Sequence, residues 1–123
     1  MASDKEAKLR EINAYVNTFK YIHPSDHTPW LLPEQFVSQG GGDCKDFAAY
    51  KYFIIKEAGI SNNLRLLIVW DRALSAARGQ TITHEILIVD DYYVLDSQSK
   101  SELFTIHSPY LTRYTPLYFI KGT

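Results

Sequence analysis

The chain has a single cysteine, Cys44, among its 123 residues. An internal disulfide and any site built from several cysteines are therefore excluded. Charge of one sign is also missing, because 13 Lys and Arg stand against 14 Asp and Glu for a formal charge of −1. That balance removes the basic footprint of a nucleic-acid binder and of a protein held on an anionic membrane. No apolar run is long. Leu66 to Trp70 and Ile86 to Val89 are of strand length, far below the roughly 20 residues that a membrane helix needs, so no membrane insertion is expected. Residues 1–12 mix charged and apolar side chains without the hydrophobic segment of an export signal.

The remaining composition is that of an ordinary folded protein, 46% hydrophobic, 22% charged and 14% aromatic, and the length suits one domain. Ser3 and Glu6 fit a capping box, and Leu9, Ile12, Tyr15 or Val16, and Phe19 recur at helical spacing, which predicts a helix over 4–20. Prolines at 24, 29 and 33 and the run Gly40-Gly41-Gly42 make 23–42 irregular, with a short helical turn over 33–37. Asp43 can cap a helix over 44–58, which Gly59 stops. Strands are expected over 64–70, 81–89, 92–95 and 117–121, with a polar link over 71–80 and a tight turn at Asp90-Asp91. Two helices followed by antiparallel strands argue an α+β fold, the helices on one face of the sheet.

Cys44 stands at the start of the second helix. Unpaired backbone N–H groups and the positive end of the helix dipole favour a thiolate there, the nucleophilic form, and can hold an oxyanion. A structural thiol packs as a small apolar group, but Asp43, Lys45 and Asp46 make this a poor place for a dry core. A nucleophilic cysteine needs a base, and the base an orienting partner. Of His23, His27, His84 and His107, only His84 opens a hydrophobic strand that can hold an imidazole rigidly. If 81–89 and 92–95 form a hairpin about Asp90-Asp91, paired residue numbers sum to about 181, which brings Asp96 close to His84. Glu85 is expected on the opposite sheet face, and Tyr110, Tyr114 and Tyr118 as core and rim packing.

Several motifs carry a resemblance: Trp30-Leu31-Leu32-Pro33-Glu34, Gly41-Gly42-Asp43-Cys44-Lys45-Asp46-Phe47-Ala48, Lys51-Tyr52, Gly59-Ile60, Leu64-Arg65-Leu66, His84-Glu85-Ile86-Leu87 and Val94-Leu95-Asp96. Over residues 9–97 the chain resembles the bacterial transglutaminase-like cysteine proteinases, a branch of the papain-like superfamily. The resemblance implies a papain-like α+β core with Cys44 as nucleophile, His84 as base and then acid, and Asp96 orienting His84. It also implies a protein or peptide substrate at the cell surface or in the periplasm. The Cys44 N–H would supply one oxyanion donor, with Gln39 and Trp30 as candidates for the second. Relatives often have Glu where Lys45 stands, and carboxylates beside their cysteine contribute to a calcium site. Asp43 and Asp46 remain here, but Lys45 puts a cation where a hard oxygen ligand would be, so the expectation is no cofactor, with at most a weak calcium site at Asp43 and Asp46.

Other readings stay open. The same residues serve transglutaminase-type acyl transfer to an amine, or amidase activity. A non-catalytic module on this fold would bind a peptide or protein. A zinc site from Asp43, Cys44, His84 and Asp96 ranks last, because no short-spaced ligand pair supports it.

Overall fold

The computed structural model describes residues 3–22 and 30–120; His23 and His27 lie outside them. In chain order the elements are α1 (Asp4–Val16), β1 (Lys20–Tyr21), α2 (Pro33–Gln39), β2 (Gly41–Gly42), α3 (Cys44–Glu57), β3 (Leu64–Asp71), α4 (Arg72–Arg78), β4 (Thr83–Val89), β5 (Tyr93–Leu95), β6 (Phe104–Thr105) and β7 (Tyr114–Phe119). Five strands form one antiparallel sheet in the order β6-β5-β4-β3-β7, while β1 and β2 pair in parallel apart from it. The expected α+β class is the one observed. No helix among the described residues is long and apolar enough to cross a membrane.

Local chemistry sets most boundaries as expected. Ser3 Oγ accepts from the Glu6 N–H to start α1, and Gly59, at φ +68°, ends α3 in the left-handed conformation that costs glycine least. The proposed turn at Pro33 is a full short helix, with Pro33 at its first position and left-handed Gly40 after its last. Helix α1 stops at Val16, short of the expected residue 20, and the link expected after β3 is absent. Residues 71–80 are not a polar link, because Asp71 Oδ1 accepts from the Leu74 N–H at 3.0 Å and caps α4, which Gly79 closes at φ +66°.

The helices cover one face of the sheet. There Leu9 of α1, Ala48 and Ile55 of α3, and Leu64, Leu66, Leu87, Val89 and Leu95 of the strands form one cluster. Leu9, Ile55, Leu87 and Val89 have 0% exposure, each contributing about 1.5–3 kcal/mol by leaving water. On the other face Leu67, Val69, Ile86, Val94, Phe104 and Tyr114 pack together beneath Tyr110 and Leu111 of the 3₁₀ turn at 109–113.

The β4–β5 hairpin departs from its expected register by one residue. Ile88 pairs with Val94 and Val89 with Tyr93, so the pairing sum is 182. The cause is a turn of three residues, 90–92, with Asp90 and Asp91 both at positive φ and the Tyr92 N–H bonding to the Val89 carbonyl. A slip of one residue exchanges the faces of a strand. The observed register puts Val94, and with it Asp96, on the sheet face that carries His84.

Candidate active site

The site begins with the glycines. β1 lies beside β2 with Lys20 opposite Gly41 and Tyr21 opposite Gly42. The approach is so close that a Cβ on Gly41 would stand 1.8 Å from the Lys20 carbonyl oxygen, and one on Gly42 would stand 2.7 Å from the Asp46 side chain. The glycine run thus lets β1 lie against the segment that leads into Cys44, and sets Tyr21 beside the cysteine. Asp43 then caps α3, its Oδ1 accepting from the N–H groups of Lys45 at 3.1 Å and Asp46 at 3.3 Å. Asp46 answers with Oδ2 on the Asp43 N–H at 3.1 Å and holds the Leu31 N–H at 2.9 Å through Oδ1. These two carboxylates fix the helix start, and Cys44 is its first residue.

His84 and Asp96 meet where the sequence spacing places them. The His84 Nε2 lies 2.6 Å from Asp96 Oδ1, and the imidazole is also hydrogen-bonded to Cys44. With Nε2 engaged by Asp96, Nδ1 is the nitrogen left for the sulfur. His84 is 6% exposed and Asp96 0%. Burial opposes a charged imidazolium, but the Asp96 carboxylate and the Cys44 sulfur outweigh it and raise the His84 pKa to about 10. Burial likewise works against the Asp96 carboxylate. The bonds from His84, Tyr114 and the Gln98 N–H prevail and hold its pKa below the ordinary range.

Sequence reasoning missed how Asp96 is supported. The Tyr114 hydroxyl donates to Asp96 Oδ2 at 2.5 Å, and its ring lies 5.7 Å from that of His84. Behind it, Arg113 reaches Asp71 through Nε at 3.1 Å and Nη2 at 3.2 Å, and packs over the rings of Tyr110 and Tyr114. Of the three tyrosines expected as packing, Tyr114 is buried and bonded to Asp96, Tyr110 stacks on Phe104, and Tyr118 is exposed. Lys51, on α3, is a second missed group. It is fully buried, its Nζ has no hydrogen-bond partner among the described residues, and burial lowers its pKa to about 7 against the pull of Asp96.

Two depressions, of about 510 and 300 Å³, share Tyr21, Cys44, Thr83 and His84 in their linings. The larger continues past Arg78 and Gln80 to Gln98, and α4, unforeseen in the sequence, builds one wall of it. The smaller continues past Asp43, Lys45 and Glu85. Glu85 is buried beside this acidic group, its pKa raised to about 7 by burial and by the charge on Asp43, and its Oε2 has no partner among the described residues. Lys45 Nζ forms an ion pair with Asp43 and lies 3.9 Å from Asp46. Neither of the expected second oxyanion donors lines these depressions: the Gln39 amide donates to the Gly41 carbonyl at 3.0 Å, and Trp30 is exposed at the surface, next to Leu31 whose N–H is held by Asp46. The Cys44 backbone N–H is hydrogen-bonded to the Tyr21 hydroxyl. His107 is exposed, away from the site, beside Tyr92.

No protein-family model matches the chain, and a comparison with curated proteins found none similar to it. Solved structures do match. Calcium-bound LapG of Legionella pneumophila superposes with a TM-score of 0.79 at 25% identity, over 94% of this chain and 65% of LapG. A second structure of the same protein gives 0.77 at 26% identity over 98% of this chain and 67% of LapG. The EGTA-treated form gives 0.77 at 26% identity over 94% and 63%. The chain therefore spans about two thirds of the length of LapG. The fold is that of the transglutaminase-like cysteine proteinases, as the motif resemblance implied. The expectation of no cofactor is corrected by the same comparison, because LapG of this fold has been solved with calcium bound.

Proposed function

We propose that this chain, with the fold of the transglutaminase-like cysteine proteinases, is a cysteine peptidase that hydrolyses a peptide bond through Cys44, His84 and Asp96. The observation that carries this reading is the row Cys44–His84–Asp96, buried at one end and open at the other to a groove that runs to both sides of the sulfur. An extended peptide crossing that groove has its scissile carbonyl at the first residue of α3. His84, raised in proton affinity, takes the Cys44 proton; the sulfur attacks the carbonyl carbon and the C=O pair moves to oxygen. Collapse expels the amine, which takes the proton from the imidazolium and leaves a thioester. Water, deprotonated by His84, then attacks the thioester, releasing the acid and returning the proton to sulfur. Asp96 keeps the imidazole in place and balances its charge throughout. By the family resemblance of the sequence, the substrate is a protein at the cell surface or in the periplasm.

Calcium has a place in this proposal at Asp43 and Asp46. Carboxylate oxygens are what a hard cation takes. Burial and the charge of Asp43 raise the proton affinity of Asp46 and of Glu85, and Glu85 keeps a buried oxygen without a partner among the described residues. As the described residues now stand, however, no three acidic, His or Cys side chains are gathered there as a metal site. The Lys45 ammonium now lies on Asp43 and must turn outward to admit the ion. Bound there, calcium would supply charge balance at the start of α3.

The test is cleavage of a peptide library in ¹⁸O-water by the wild type and by Cys44→Ala. One solvent oxygen in each new carboxyl group, with no products from the variant, is the expected result. Equal cleavage by Cys44→Ala, or no cleavage by either protein, overturns the reading. Transfer of the acyl group to an added labelled amine in place of water makes the protein an acyltransferase.

A further inference from the structure

Hydrolysis through Cys44 puts a negative charge on the carbonyl oxygen, and one donor for it, the Cys44 N–H, is in hand. The second donor is the open question, since Gln39 is occupied by Gly41 and Trp30 is not among the residues that line the groove. Resting on the peptidase reading, we propose that Tyr21 is the second oxyanion donor and so a catalytic residue.

Three observations carry this. The Tyr21 hydroxyl sits on the Cys44 backbone N–H, the place where an oxyanion must sit to be held by that N–H. Tyr21 lines both depressions that meet at the sulfur, together with Cys44 and His84. Its position is built in: β1 is locked against Gly41 and Gly42, where a side chain would collide with the backbone of Lys20 or with Asp46, and the ring stacks on Phe47 at 6.2 Å. The glycine run thus has a use beyond admitting the helix start, since it brings a phenol to the reacting carbonyl.

The hydroxyl is suited to donate. Burial and the charges of Cys44 and Asp43 raise its pKa to about 12, although the Cys44 N–H and Arg78 work the other way, so it keeps its proton at neutral pH. When the carbonyl oxygen enters, it takes the place of the phenol oxygen on the Cys44 N–H, and the phenol shifts aside so that its O–H donates to the oxyanion as well. The pair of donors is matched to the tetrahedral intermediate and forms fully only there, which lowers the barrier without tightening substrate binding.

Tyr21→Phe keeps the ring and its stack on Phe47 and removes the donor. In the full chain, kcat for the peptide most rapidly cleaved by the wild type is expected to fall about 10²- to 10³-fold, with KM changed less than about threefold. The rate of Cys44 alkylation by iodoacetamide is expected to stay within about twofold of the wild type, because that reaction forms no oxyanion. A kcat within about threefold of the wild type overturns the proposal. Equal losses of kcat and of alkylation overturn it too, since Tyr21 would then support Cys44 and not the substrate oxygen. A wild type that cleaves no peptide sinks the peptidase reading and this proposal with it; a wild type that cleaves beside an equally fast Tyr21→Phe sinks this proposal alone.

Discussion

Replacing Tyr114 with Phe removes one hydroxyl and leaves the ring against His84. The lost bond runs at 2.5 Å to Asp96 Oδ2, on a carboxylate with 0% exposure, so water cannot take its place. A hydrogen bond to a buried charge is worth about 1.5–3 kcal/mol, and for a domain of this size a loss of about 2 kcal/mol lowers the melting temperature by about 8 °C. The effect has a pH signature. Tyr114 is one of the groups that hold the Asp96 pKa down in the folded protein. Stability from a depressed carboxylate is present above the unfolded value near 4 and is lost as pH falls through the folded one. Urea denaturation followed by circular dichroism, at pH 7 and in steps of pH below it, is the assay. Tyr114→Phe is expected to lose about 2 kcal/mol at pH 7, and the gap to the wild type to narrow only where pH falls through the folded Asp96 value. A loss under about 0.5 kcal/mol at pH 7 would refute the claim that this hydroxyl supports a charged Asp96.

Lys51→Met is expected to stabilise the protein by a few kcal/mol at pH 6. The gain should shrink as pH rises from about 7 toward 10.5, because the buried lysine loses its proton near 7 and the unfolded one near 10.5; denaturation at pH 6 and pH 9 measures it. His84 has the opposite slope, its stabilisation present below 6.5 and lost as pH rises through about 10, so His84→Gln should make the protein relatively more stable at pH 10 than at pH 6. Gly41→Ala drives a methyl group into the Lys20 carbonyl, and denaturation should show a loss of more than about 3 kcal/mol together with loss of peptidase activity. Millimolar calcium should raise the melting temperature relative to EGTA, and more so in Lys45→Ala; no shift in either protein argues against an ion at Asp43 and Asp46.

What could be read before folding was local. Asp43 and Gly59 bracket α3 by capping chemistry, and Cys44 stands out because the helix it starts is legible. His84 and Asp96 came within reach through hairpin arithmetic, although a three-residue turn shifted the register by one and thereby put Asp96 on the face of His84. α4 was legible and missed: Asp71 caps it, Ala73, Leu74, Ala76 and Ala77 are good helix formers, and Gly79 ends it, but its arginines read as a link. Tyr21 and Tyr114 were beyond local reading. Each reaches the site through a nonlocal pairing, β1 on β2 and β7 on β3, the second with a shift at Ile68/Val69 that no spacing in the sequence announces. Lys51 passed as one more polar residue on a helix, because its burial depends on α1 and the sheet closing over α3.

The coupling of Cys44 to His84 is the core of the account, and the rate of Cys44 alkylation at mildly acid pH tests it most directly. Iodoacetamide should modify the wild type at pH 6 at least about tenfold faster than it modifies glutathione, and His84→Ala should fall to the rate of an ordinary thiol. Equal rates in the wild type, the variant and glutathione would contradict it.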